Sequence, residues 1–300
     1  MFDKFKNRLE ITGTLTTVTA LRISKGRSTE AIGSDLPVIK DALGRPLIPG
    51  SSFKGALRSR LESFLRGIDP NLAANPAIEA EWSITNERLN GHNGIKKEVE
   101  EELKQYPEKE QSAKRDSLLT EKIINETDLA SLLFGSPWIA SKFQVRDLTV
   151  QSDAWFGQYQ ERDGVAIDRD TETAADGKLY DYQVVPAATP FDFKAVVENA
   201  QDWELGLLMI GLHQFETEQI PLGGGRSRGL GVVKLEIDKM RWIDVEDHPE
   251  FLLEYLKKLV MGDETAYEDA ADYKDEWVQK LIDRLTRKET KLSETQTQAQ

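Results

Sequence analysis

The chain has 300 residues, no cysteine, three histidines and a formal net charge of −13. Without cysteine it can build neither disulfides nor thiolate metal sites, which fits a reducing cytoplasm, and no apolar run approaches the ~20 residues of a membrane span. The charge is uneven: residues 1–67 carry twelve Lys and Arg against six Asp and Glu, and residues 241–300 carry nine against fifteen, so one basic face can still meet nucleic acid because charges beyond roughly 8–10 Å are screened.

Met1-Phe2-Asp3-Lys4 starts no signal peptide. Arg8 to Ser24, rich in Ile, Leu, Thr and Val, alternates and predicts a first strand; Lys25 to Gly33 is a loop. An acidic loop with Asp35 leads into a hairpin-like segment, Val38-Ile39-Lys40-Asp41 to Pro46-Leu47-Ile48, that turns at Leu43-Gly44-Arg45-Pro46. For Asp41 this setting favours a structural role over a catalytic one. Pro49 and Gly50 end the extended run, and Ser51 or Ser52 can cap a helix over about Ser52–Arg66. Phe53, Leu57, Leu61 and Phe64 give that helix one apolar face, and Lys54 and Arg58, four residues apart, share another. Small residues, a helix start and two cations suit a phosphate; an ordinary capped surface helix fits as well.

Residues 68–128 change character. Proline and asparagine break them early, and Lys96 to Lys114 is densely charged, predicting an insertion with one or two short helices interrupted at Pro107. Asp128 to Phe134 predicts a short helix stopped by Gly135, Lys142 to Val150 a strand, and the polar stretch Gly157 to Gln183 a protruding hairpin or a surface loop. Val184 to Val197 reads as strand, Asp202 to Phe215 as helix, and Val232 to Ile237 as the last strand of a core ordered strand, helix, strand, strand, helix, strand. Before that last strand lies Leu222-Gly-Gly-Gly-Arg-Ser-Arg-Gly-Leu-Gly231, with Gly223, Gly224, Gly225, Arg226 and Arg228. Its glycines let backbone approach a ligand and its arginines supply charge. It closes neither a P-loop nor a dinucleotide fingerprint, and alone it reads more readily as a flexible turn than as a ligand site. Pro249 to Val260 and Thr265 to Leu285 predict C-terminal helices; Ala270, Tyr273, Trp277, Leu281 and Leu285 share a face, turned either to the chain's own core or to a neighbouring subunit. Ser293 to Gln300 predicts disorder. His92, His213 and His248 are scattered and form no zinc pattern.

Taken together, the Ile-Pro-Gly-Ser-Ser-x-Lys-Gly-x-x-Arg helix start and the Leu-Gly-Gly-Gly-Arg-Ser-Arg-Gly-Leu-Gly loop resemble the RAMP superfamily of CRISPR systems. Ala31-Ile-Gly-Ser-Asp-Leu-Pro-Val-Ile-Lys-Asp41 resembles more narrowly the backbone subunit of type III effector complexes. Asp128 to Ser136, Phe143 to Asp147, Ala166 to Arg169 and Val185 to Phe193 match in the same order. The resemblance runs from about Leu9 to Ile237.

It implies an α+β fold with a ferredoxin-like, RNA-recognition-type βαββαβ core over 1–67 and 129–240, a thumb hairpin at about 157–183 that pushes between bases of the guide, a helical insertion over 68–128 and an acidic helical extension over 241–300. It implies a cytoplasmic, non-membrane subunit that holds a CRISPR guide RNA and a complementary single-stranded target beside further RAMP or Cas subunits, and cuts the target at regular intervals. Asp35 is then the catalytic residue, with Mg²⁺ or a similar divalent cation, since oxygen ligands suit it; no metal ligand set is readable. Ser51, Ser52, Lys54, Arg58, Gly223, Gly224, Gly225, Arg226, Arg228, Ile167 and Arg169 are the expected RNA contacts. A scaffold that binds guide RNA without cutting would use all of these except Asp35. A guide-processing nuclease of the same superfamily relies on a histidine near the first helix, and none stands between Met1 and Gly91.

Overall fold

The computed structural model describes residues 4–24, 26, 35–167, 174–245 and 248–297. Among them are β1 (Asn7–Thr17), β2 (Leu47–Ile48), α1 (Gly50–Ile68), α2 (Asn86–Asn90), α3 (Ile95–Leu103), α4 (Glu108–Glu126), α5 (Leu129–Phe134), β3 (Phe143–Val145), β4 (Leu148–Thr149), β5 (Gln160–Ile167), β6 (Ala174–Val184), β7 (Pro190–Glu198), α6 (Asp202–Glu216), β8 (Val233–Asp244), α7 (Pro249–Val260), β9 (Glu268–Asp269) and α8 (Lys274–Thr297). The fold is α+β. Its main sheet is antiparallel, in the order β3-β7-β1-β8-β9, with β1 in the middle.

The period of two in β1 puts Leu9, Ile11 and Leu15 on one fully buried face. Alternate residues Phe191, Phe193, Ala195 and Val197 of β7 join them. α1 and α6 pack onto this face. Phe53 of α1 stacks on Phe215 of α6 at 4.3 Å and meets Phe193 of the sheet at 5.0 Å. α1 buries Leu65 where the spacing predicts Phe64; Phe64 lies outside, under the guanidinium of Arg60. α6 is apolar nearly all round because α8 covers its outer side, with Trp277, Leu281 and Leu285 in the same core. That apolar row of α8 therefore faces the chain's own core, whereas α7 leaves Phe251, Leu253, Val260 and Met261 exposed. Lys142, just before β3, and Glu204, in the first turn of α6, form a buried ion pair with Nζ–O distances of 2.7 and 2.5 Å. It ties a sheet edge to a helix start.

Several elements differ from expectation. The strand expected over Lys142–Val150 is two strands in two sheets: β3 pairs with β7, and β4 with β2. Arg146 and Asp147 turn between them because Asp147 is needed elsewhere, as shown below. The helix expected from Thr265 begins only at Lys274, since Glu268–Asp269 pairs with Arg241–Trp242 and the Ala270 amide bonds the Met240 carbonyl. At its other end α8 continues to Thr297, through residues expected to be disordered; Arg, Lys, Glu and Gln are good helix formers and no Gly or Pro interrupts them. The 68–128 segment holds α2, α3 and a 19-residue α4, with Pro107 at the start of α4. Ile84, Leu89, Ile95, Val99, Leu103 and Ile123 form a small core of its own. No described helix is long and apolar enough to cross a membrane.

Candidate nucleic-acid interface

At the end of the sheet where β1 finishes, three segments meet. The first is the base of the β5–β6 hairpin, which follows the predicted polar hairpin in antiparallel register. The second is Asp35-Leu36, which runs beside β6: Leu36 bridges Tyr182 in parallel, its carbonyl accepts the Gln183 amide at 3.1 Å, and the Asp35 amide donates to Asp181 Oδ1 at 3.0 Å. The third is the Gly-rich loop. Its Gly224 and Gly231 amides donate to the carbonyls of Arg22 (2.8 Å) and Ala20 (2.9 Å). Ala20, Tyr182, Val184 and Leu230 pack beneath them as a satellite core.

Over this base stand charges and rings. The Arg22 guanidinium lies 4.6 Å from the centre of the Tyr182 ring, and Tyr180 is 6.2 Å from Tyr182. Arg228 Nη1 donates to the Tyr180 hydroxyl at 3.1 Å and holds that phenol below the ordinary tyrosine range. Arg226 Nε donates to the Gly223 carbonyl at 3.1 Å, and both loop arginines are exposed. The glycines serve mainly the loop itself. A Cβ at Gly223 would sit 2.1 Å from the Arg22 carbonyl oxygen, and one at Gly231 2.0 Å from that of Leu222, both at positive φ. Gly224 faces open space, so it is where a backbone approach to a ligand is unobstructed.

The α1 start is built differently. The helix begins at Gly50, ahead of the expected Ser52, and neither Ser51 nor Ser52 caps it. The Gly50 amide donates instead to Asp147 Oδ1 at 2.8 Å, a carboxylate at the positive end of the helix dipole. Ser51 stays exposed within the first turn. Lys54 is half-buried. Its Nζ donates to Ser141 Oγ at 2.6 Å and the Phe143 carbonyl at 3.1 Å, and burial, then the nearby Arg58, pull its pKa below the usual lysine value. Arg58 reaches Glu62 Oε1 at 2.6 Å, the Gly135 carbonyl at 2.9 Å and Ser131 Oγ at 3.2 Å. Both cations thus come to any phosphate already hydrogen-bonded within the protein.

Asp41 holds its turn, as its setting predicts: Oδ1 accepts the amides of Leu43 and Arg45, and Oδ2 the Arg45 guanidinium. Ile167 ends β5; Arg169 lies outside the described residues. Among the described residues no three His, Asp or Glu side chains cluster as a preformed metal cage. The Asp35 carboxylate is a hard oxygen donor of the kind Mg²⁺ takes, and RNA oxygens and water would have to supply the remaining ligands.

A model of the RAMP superfamily matches residues 14–234. The chain belongs to that superfamily. Among curated RAMP-related proteins, it is 25% identical over 236 residues to the CRISPR system Cms endoribonuclease Csm3 of Enterococcus italicus, covering 78% of this chain and 92% of that one. Shorter matches are denser. The Csm3 of Mycobacterium tuberculosis is 52% identical over 56 residues, 18% of this chain and 24% of its own, and that of Methanocaldococcus jannaschii 45% over 58 residues, 19% and 23%. The RAMP match spans the Gly-rich loop, Asp35 and the β5–β6 hairpin, and ends at Lys234, inside β8.

Sequence reasoning passed over Arg22, Tyr180, Asp181, Tyr182 and Asp147. A signal existed for three of them: Leu179-Tyr-Asp-Tyr-Gln183 alternates aromatic and polar residues at the end of a strand. Asp147 closed the matching Phe143–Asp147 motif, but nothing local marked it as the cap of a helix that starts 97 residues earlier.

Proposed function

We propose that this chain is a backbone subunit of a type III CRISPR effector complex, binding guide RNA along its phosphates and cleaving complementary target RNA at intervals through Asp35 with a divalent cation. The observation that carries this reading is the convergence of the Asp35 segment, the Arg226/Arg228 loop and the hairpin base on one satellite core. It supports a shared surface to which the Asp35 segment, the exposed loop arginines and the Tyr180 ring all contribute. The superfamily and the endoribonuclease activity of the Csm3 relatives support the same reading. So does the topology: β1, α1, β3, β7, α6 and β8 follow in chain order, and the sheet order β3-β7-β1-β8 is what a ferredoxin-like, RNA-recognition core requires.

The chemistry needs a ribose 2′-hydroxyl held in line with the adjacent phosphodiester, and most of the barrier is lowered by fixing that geometry and balancing charge. Arg226 and Arg228 bind phosphate and hold the strand's register. The half-buried Tyr180 ring offers stacking surface for a base. Asp35 orients the 2′-hydroxyl and accepts its proton as the 2′-oxygen bonds to phosphorus and the P–O5′ bond breaks, leaving a 2′,3′-cyclic phosphate and a 5′-hydroxyl protonated from water. A divalent cation held by Asp35 and the RNA would supply charge stabilisation at the phosphate. Neighbouring copies or other Cas subunits would complete the path of the guide.

The test is target cleavage by the chain assembled on guide RNA, with Mg²⁺, in wild type and Asp35→Asn. Asparagine keeps the shape and the backbone amide but loses the proton acceptor, so cleavage should fall about a hundredfold or more with RNA binding retained. Cleavage by Asp35→Asn at the wild-type rate would move the chain to a non-cutting scaffold.

A further inference from the structure

We infer that Asp181 is a positioning residue for Asp35, acting through the acceptor oxygen it gives the Asp35 amide; the inference rests on the reading that Asp35 takes part in cleavage. Both sides of the Asp35–Leu36 dipeptide are fastened to β6. The Asp35 N–H goes to Asp181 Oδ1 at 3.0 Å, and the Leu36 C=O takes the Gln183 N–H at 3.1 Å. With its amide and the following carbonyl both held, the Asp35 Cα is fixed and so is the direction in which its Cβ leaves the backbone. One of these two ties is ordinary strand pairing. The other needs a side-chain acceptor at position 181.

An acidic residue is otherwise poorly suited there. Aspartate is depleted in strands, and Asp181 stands directly across the ladder from Asp163, a like-charged cross-strand pair that costs stability. What the carboxylate gains at this position is the Asp35 amide it receives. The hairpin base thereby becomes the mount of the reactive segment. RNA bound along β6, against Tyr180, and the Asp35 carboxylate are referred to one strand, so strand register and reaction geometry are set together.

Two substitutions separate acceptor from charge. Asp181→Asn removes the charge and keeps an Oδ1 that can accept the amide. Asp181→Glu keeps the charge and moves the acceptor outward by one methylene. The complex assembled on guide RNA is given saturating target, and the single-turnover cleavage rate is measured beside target affinity. The expected result is Asp181→Asn within about threefold of wild type and Asp181→Glu slower by tenfold to a hundredfold, the order of loss from a misplacement of about 1 Å, with affinity unchanged in both. The reverse ranking would make the charge the operative feature and overturn the inference. Wild-type rates in both variants, or equal losses in both, would overturn it too. Asp35→Asn run in parallel keeps the two readings apart: if it cleaves normally the catalytic reading fails, whereas if it is inactive and Asp181→Glu is normal only the role of Asp181 fails.

Discussion

Two basic regions of this molecule treat their charge in opposite ways. At the start of α1, Lys54 and Arg58 are drawn inward and bonded to Ser141, the Phe143 and Gly135 carbonyls and the buried Glu62, and the helix end is occupied by Asp147. On the Gly-rich loop, Arg226 and Arg228 stand in solvent and make one contact each to Gly223 and Tyr180. Cations of the first kind hold the α5–β3 turn to α1; cations of the second kind are free to exchange solvent for phosphate. The residue type is the same, and the partners decide which work it does.

The largest effect that follows lies in the first region. Arg58→Ala leaves the Glu62 carboxylate, only 5% exposed, with Arg66 as its remaining guanidinium, and should cost about 3 kcal/mol of stability, read as a lower urea midpoint. An unchanged midpoint with lost RNA affinity would break the comparison and return Arg58 to the phosphate path. Next comes the loop's own frame. Gly231→Ala forces a Cβ against the Leu222 carbonyl at positive φ and should destabilise by more than about 1 kcal/mol, whereas Gly224→Ala, with open space around it, should stay within about 0.5 kcal/mol. Equal effects on thermal melting would mean that the loop is not braced as described. The smallest effect on the fold belongs to Arg226→Ala with Arg228→Ala: melting within about 0.5 kcal/mol of wild type, but a salt dependence of RNA binding shallower by about 1.4 in log–log slope, for two lost contacts to a single strand. An unaltered slope would remove these arginines from the interface.

Periodic elements were the legible part of the sequence. α5, α6 and α7 stand within a residue or two of expectation, since each is set by its own apolar spacing and by local start and stop residues such as Asp128 and Gly135. The β5–β6 hairpin and the turn at Asp41 were legible for the same local reason. What could not be read was set by distant partners. Asp147 splits a strand to cap a helix 97 residues earlier, and β9 takes the place of a helical turn because β8 offers an edge. The candidate site divides in the same way. Asp35 and the loop arginines stood out as motifs. Arg22 reaches the two tyrosines only once Leu21 bridges Val185, and Asp35 reaches Asp181 only once Leu36 lies against β6, contacts that local sequence does not encode.

That same contact leaves the hairpin with one open side. With Leu36 against the base of β6, the other edge of the hairpin base is β5, whose residues there are Gln160, Glu161, Arg162 and Asp163, exposed and three of them charged. Charged side chains on an edge strand discourage a stray strand from adding to the sheet. In an assembly that would bring many copies of the same hairpin close together, this edge keeps them from zipping into one continuous sheet, and so keeps the hairpin soluble.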